Sequence, residues 1–364
     1  MRWVHWRPSV SQPTSLVRVL RHPIADAEAR ESSALLVGAV TFVAGLVPAL
    51  VLFWGRELAI SGRGSFGDFA AIGSAVAAAL AFLYGCILRR RQQGPATTWR
   101  RLRWFDVAAL CLAHAIIALL GWIGLASVFS IGFEGASLYA TSAAVLAAAL
   151  MAITAYAAFL SAVNLTPMLL SLLLAVFLVV GALASMLSAS DPLWWEKNLS
   201  TLGISDDISA LTFNVTLIIA GVMMTTISHY ATAWLPTSTR AEIRGRNLVR
   251  LALILMGILL ACVGLFPVDE NLQIHNISAT GMAIIYVVMA LSLRALIPSM
   301  PRVFLLLGYI FVAVIVVLAI FFITGYYNLT AVELIAFVLI FAWVIVFLRS
   351  TGSIAPASST EIRR

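Results

Sequence analysis

The chain has 364 residues, of which 62% are hydrophobic and 11% charged, whereas a soluble domain carries roughly 25% charged residues because its surface must face water. That composition excludes a soluble globular protein, and apolar runs longer than the ~18 to 20 residues needed to cross ~30 Å of hydrocarbon recur along the sequence. The formal charge of +7 points to no nucleic-acid partner, because the arginines are spread over successive loops rather than gathered on one face.

In lipid only a helix or a closed barrel satisfies its own backbone polar groups. The apolar runs are too long and continuous for barrel strands, so the sequence predicts an all-α, polytopic membrane helix bundle. Residues 1–33 form a cytoplasmic N-terminal arm, with Arg2, Arg7, Arg18, Arg21 and Arg30 but no compact apolar core of a secretory signal. Trp3 and Trp6 suit either a headgroup contact or a disordered tail. Helices are then expected at about Ala34 to Trp54, Asp68 to Leu88, Trp104 to Ser130 and Ala136 to Val163, forming a four-helix unit over 34–163. After the Asn164-Leu165-Thr166-Pro167 turn come six more, at about Met168 to Ser188, Asp207 to Tyr230, Leu248 to Pro267, Ile277 to Leu296, Val303 to Tyr326 and Thr330 to Leu348. These make a six-helix body over 168–348, with 349–364 as a cytoplasmic tail.

The arginines check the count of ten. With both termini inside, every basic residue except Arg56, Arg63 and Lys197 falls on the cytoplasmic side, and a missed or extra helix would scramble that bias downstream of it. The carboxylates show the reverse bias, so the outer face is net negative. The first unit is Ala-rich, as close helix packing through small residues requires. A five-plus-five inverted repeat would also fit the count, but no matched motif or pair of broken helices accompanies it. Cys86, Cys111 and Cys262 lie inside apolar runs and read as small hydrophobes.

Ionisable residues inside spans are costly and default to functional hypotheses. Asp106, near the cytoplasmic end of the third helix, is expected to face Arg101 and Arg103. His114, deeper on that helix, reads as a neutral imidazole bonded to a neighbouring helix or as a proton relay. On the sixth helix Asp207, Asn214, Gly221, Thr225 and Ser228 share one face, which is either a packing seam or the lining of an outward cavity.

Topology brings a further set to the outer ends of the later helices: Ser200-Thr201-Leu202-Gly203 with Asp206 and Asp207, then Asp269, Glu270 and His275 after Pro267, and Glu333. Carboxylates with a histidine suit acid–base work, a metal, or a polar headgroup, and suit equally a hydrated loop with capping carboxylates. His275, Asp269 and Glu333 are the catalytic candidates. Ser200, Asp207, Asn214, His275 and Glu333 are the ligand-binding ones. No His-Glu-x-x-His, Gly-x-Ser-x-Gly, P-loop or Cys-x-x-Cys pattern occurs, so neither a metal site nor a cofactor is expected. The triplets at Asn198, Asn276 and Asn328 would be glycosylation acceptors in a eukaryotic secretory protein, but a single lysine among 23 basic residues reads as bacterial, and as an inner-membrane location.

The segment from about Ser200 to Arg349 resembles a bacterial membrane family of unknown function grouped with the eukaryotic FRAG, DRAM and SFK proteins. Ser200, Leu202 and Gly203 ahead of Asn214 and Gly221, the Gly264-to-Asp269 stretch, His275 with Ala279, and Glu333 carry the resemblance. It implies a six-helix body and proximity to lipid. Three functions follow as expectations: a protein that binds or organises membrane lipid through an outward polar pocket, a membrane enzyme acting on a lipid or lipid-linked envelope precursor, and a transporter or proton-coupled carrier. Lipid is the expected partner.

Overall fold

The computed structural model describes residues 21–92, 103–204 and 208–353. Among them, ten helices are long and apolar enough to cross a membrane. They are α1 (Ala27–Phe53), α2 (Phe66–Gln92), α3 (Trp104–Gly132), α4 (Ala140–Val163), α5 (Pro167–Ser188), α6 (Ile208–Ala231), α7 (Arg240–Leu265), α8 (Val268–Leu296), α9 (Arg302–Ile323) and α10 (Leu329–Ser353). The protein is an all-α polytopic helix bundle. Residues 1–20, with Trp3 and Trp6, and 354–364 lie outside the described residues, as do Arg101, Asp206 and Asp207.

Capping sets helix starts that hydropathy does not register. Asp26 accepts the Ala29 amide at 2.7 Å and starts α1 at Ala27, inside the segment read as an arm. Thr239 and Glu242 form a reciprocal capping box, Thr239 Oγ1 accepting the Glu242 amide at 3.2 Å and Glu242 Oε2 the Thr239 amide at 3.0 Å. This starts α7 at Arg240 instead of Leu248, in an arginine-bearing segment too polar to register as a span. Helix α8 begins at Val268 instead of Ile277 and breaks at Asn271 (φ −152°, ψ 82°), whose side chain caps the restart by accepting the Ile274 amide at 3.0 Å.

Within the first unit α4 is the packing hub. Its alanines, including Ala143, Ala144, Ala147, Ala148, Ala155 and Ala162, are buried. Glycines of α1 and α2 lie against it: a Cβ on Gly38 would come within 3.3 Å of the Ala152 carbonyl oxygen, and one on Gly85 within 2.7 Å of Ala162 Cβ. Absent side chains let the backbones approach, which is how apolar helices associate when lipid is as apolar as they are. Two short strands, β1 (Glu57–Ala59) and β2 (Ser137–Tyr139), pair antiparallel across the acidic face. They set Leu58 over Ala49, Phe53 and Ala143.

In the second unit α5, α6, α7 and α8 pack in succession, α10 returns against α5 and α9 lies against α8 and α10. The α6 face read as a seam or cavity lining is largely a packing seam. A Cβ on Gly221 would meet the Gly257 carbonyl oxygen at 2.3 Å, and one on Gly257 the Gly221 carbonyl oxygen at 2.7 Å and Thr225 Cγ2 at 2.9 Å. The units meet along α3, which packs on α5 and α6, and one apolar core runs through both.

Asp106 lies on that junction; Arg101, one of the two arginines it is expected to face, lies outside the described residues, and the contact with Arg103 is to its backbone. Its carboxylate accepts the Arg103 backbone amide at 2.8 Å and the Thr226 hydroxyl of α6 at 3.0 Å. His114 bonds the Leu110 carbonyl at 2.8 Å and Ser161 Oγ of α4 at 3.0 Å, with Phe82 tilted over its ring at 4.2 Å.

Candidate functional site

Three loops of the acidic face converge on one short element, the 3-10 turn Leu199–Gly203. Such a turn leaves amides free at its start and carbonyls at its end. Glu333, in the first turns of α10, meets the start: its Oε2 accepts the Leu199 amide at 2.6 Å, and the Ser200 amide lies toward the same carboxylate. Asn214 of α6 meets the end, donating from Nδ2 to the Gly203 carbonyl at 3.0 Å. Asn198 steadies the turn from within by accepting the Thr201 hydroxyl at 3.0 Å.

His275 closes the arrangement from α8. It is 4% exposed, with Nδ1 3.0 Å from the Phe266 carbonyl oxygen and Nε2 2.9 Å from Ser200 Oγ. A carbonyl can only accept, so in the neutral ring Nδ1 carries the proton and Nε2 accepts from the Ser200 hydroxyl. The break at Asn271 matters here, because it re-aims the start of α8 and brings His275 back over Phe266.

Asn328 donates from Nδ2 to the Trp195 carbonyl at 3.0 Å and caps α10 by accepting the Ala331 amide at 3.0 Å. Asp191, at the start of the same loop, accepts the Leu193 amide at 2.9 Å and pairs with Lys197 at 3.1 Å. The amide first and the ammonium second hold its carboxyl below the usual range.

Of the residues singled out from sequence, Ser200, Asn214, His275 and Glu333 meet at this turn. Asp269 does not join them: it is exposed on the short turn ahead of Asn271. Asp207 lies outside the described residues. Among the described residues no group of three or more His, Cys, Asp or Glu side chains gathers to hold a metal. Sequence reasoning missed the Phe266 carbonyl, a backbone group without a sequence signature. It also read Asn198 and Asn328 only as glycosylation triplets, although asparagine ahead of a helical turn is itself a capping signal.

The Ser200–His275 contact has the geometry of a nucleophile and its base, with the Phe266 carbonyl orienting the ring. The surrounding electrostatics oppose acyl transfer. Such chemistry needs free amides aimed at a developing oxyanion, and the amides at Leu199 and Ser200 already face the Glu333 carboxylate. An oxyanion there would meet a like charge. The arrangement is a latch that fixes the turn across the ends of α6, α8 and α10.

Residues 172–350 match a protein family of unknown function, DUF998. Residues 172–350 form a DUF998 domain. The match begins inside α5 and runs through α10, so the DUF998 domain takes in the six-helix body, including every residue of the latch, and leaves α1 to α4 outside. No curated protein matches the chain, and no solved structure does.

Proposed function

We propose that the DUF998 body binds an amphiphilic membrane lipid in the outer leaflet, with the chain-facing surface supplied by α9 and the polar cap by the latched segment 194–203. The observation that carries this reading is the change along α9. Its first half packs, with Phe304, Leu305, Gly308 and Val312 buried, but from Ala313 to Asn328 only Leu318 is buried. A transmembrane helix normally turns one face to its bundle, so a nearly unpartnered half leaves apolar surface beside α8 and α10. Those neighbouring helices carry His275 and Glu333 at their ends, and Trp194, Trp195, Tyr326 and Tyr327 lie at the same level, where aromatic side chains suit a headgroup layer.

Assignment of this face to the outer leaflet rests on the arginine distribution, and a bacterial inner membrane on the near absence of lysine. The resemblance to the FRAG, DRAM and SFK group supports proximity to lipid. The carrier reading draws less support, because His114 and Asn214 are engaged with Ser161 and Gly203. For the enzyme reading, Glu333 stands where an oxyanion would form.

The test is the lipid content of the detergent-purified protein, measured by mass spectrometry for the wild type, His275→Ala and His114→Ala. The proposal expects one retained lipid class, reduced about fivefold in His275→Ala, as the loss of about 1 kcal/mol of polar organisation implies, and kept in His114→Ala. Identical lipid content in all three proteins would sink it.

A further inference from the structure

At the opposite, arginine-rich end of the same body, the loop after α6 and the ends of α7 and α8 enclose a cleft of about 60 Å³ lined by Leu235, Pro236, Glu242, Arg246, Ile297 and Ser299, among others. Its walls are closely packed. A Cβ on Gly245 would lie 1.9 Å from the Leu296 carbonyl oxygen, so α7 and the end of α8 touch backbone to backbone. Leu235 and Ile297 are buried and make the wall apolar.

One arginine of this cleft, Arg246, is half-buried with an unmatched donor. Glu242, four residues before Arg246, is the natural helical partner for it, but its Oε2 is turned to the amides of Ser238 at 2.8 Å and Thr239 at 3.0 Å. Among the described residues, Arg246 Nε is consequently buried with no hydrogen-bond partner. A guanidinium does not shed its proton, and a buried charged donor without an acceptor is costly, so an anion entering from outside the chain would satisfy this donor.

We infer that this cleft binds the phosphate of a membrane phospholipid, with Arg246 as its anchor. The planar guanidinium fork matches phosphate oxygens. At about 60 Å³ the cleft exceeds the roughly 30 Å³ share of one water but falls far short of the about 300 to 1,000 Å³ that enclose a whole ligand. It therefore takes a headgroup fragment while the chains remain in the bilayer. The apolar wall suits the first methylenes below the phosphate, and anionic lipid concentrates beside such arginine-rich ends. This site is separate from the latch and does not depend on it.

The experiment uses the full chain in detergent, titrated with phosphatidylglycerol and with diacylglycerol of the same chains and followed by native mass spectrometry. Inorganic phosphate is added in a parallel thermal-shift arm. The variants are Arg246→Gln, Ser299→Trp and, as a control outside the cleft lining, Arg244→Gln. Arg246→Gln is expected to weaken phosphatidylglycerol binding about tenfold, the scale of one charge-assisted hydrogen bond. Ser299→Trp, which narrows the cleft and leaves the arginine, is expected to do the same, while Arg244→Gln and diacylglycerol show no such change. Stabilisation of the wild type but not of Arg246→Gln by inorganic phosphate alone would support the phosphate site and identify its source as the free anion. Equal phosphatidylglycerol binding by wild type and Arg246→Gln would overturn the proposal, as would an equal loss in Arg244→Gln. Should Arg246→Gln fail to fold, Ser299→Trp decides: unchanged binding there overturns it.

Discussion

The turn is held twice at its start, by the Leu199 amide toward Glu333 and by the Ser200 hydroxyl toward His275. Because the two contacts come from different helices, the turn ties α10 to α8, and the strength of the tie depends on how many amides Glu333 can accept. A carboxylate has two oxygens for this purpose, an amide side chain one, and alanine none. Glu333→Ala is therefore expected to cost about 1 to 3 kcal/mol, the penalty for leaving buried polar groups unmatched. Glu333→Gln, which can keep the Leu199 contact, is expected to cost less than half of that. Thermal unfolding in detergent, together with proteolysis within 194–203, checks the ranking. Equal stability for both variants and the wild type would mean that the turn is held by Asn214 and His275 alone. Ser200, Asn214, His275 and Glu333 were legible as an outer-face group because alternating helices bring their loops to one side. Their division of labour was not, since it depends on a 3-10 turn and on the Phe266 carbonyl.

Among the elements, α6 and α7 approach backbone to backbone, with Gly221 and Gly257 each presenting a bare backbone to the other. Neither has room for a methyl group, and the nearest obstacle in each case is the partner glycine's backbone carbonyl, which cannot move aside as a side-chain end could. Gly221→Ala is expected to destabilise by about 1 to 3 kcal/mol through forced separation of the helices. Gly121→Ala, at a glycine with nothing within 4 Å, is expected to be neutral or slightly stabilising through its better helix propensity. Unfolding midpoints of the two variants check the contrast, and similar values would argue that α6 and α7 part easily. Helix number was readable from hydropathy and arginine placement because both follow from the bilayer itself. Helix ends were not, since α7 starts in an arginine-bearing segment where only the Thr239–Glu242 capping box signals helix. The break in α8 was hidden too, because Asn271 has no proline or glycine beside it to mark it.

Across the whole molecule, the DUF998 domain coincides with the second of two packing units, yet the apolar core is continuous between them. The junction along α3 carries a polar contact, the Asp106 carboxylate accepting the Thr226 hydroxyl at 3.0 Å. In lipid, association between units draws on van der Waals packing and such hydrogen bonds, since no hydrophobic drive remains once both are inserted. Two chains, 1–165 and 166–364, made together should therefore each insert and reassemble, because the split falls in the Asn164-Leu165-Thr166-Pro167 turn and cuts no helix. Thr226→Val should weaken that reassembly by about 0.6 to 2 kcal/mol, roughly three- to thirtyfold, while leaving each half inserted. Copurification of a tagged 166–364 chain with 1–165, in the presence and absence of Thr226→Val, measures this. Complete failure to copurify without the substitution would mean that the covalent turn, and not the α3 junction, holds the two units together.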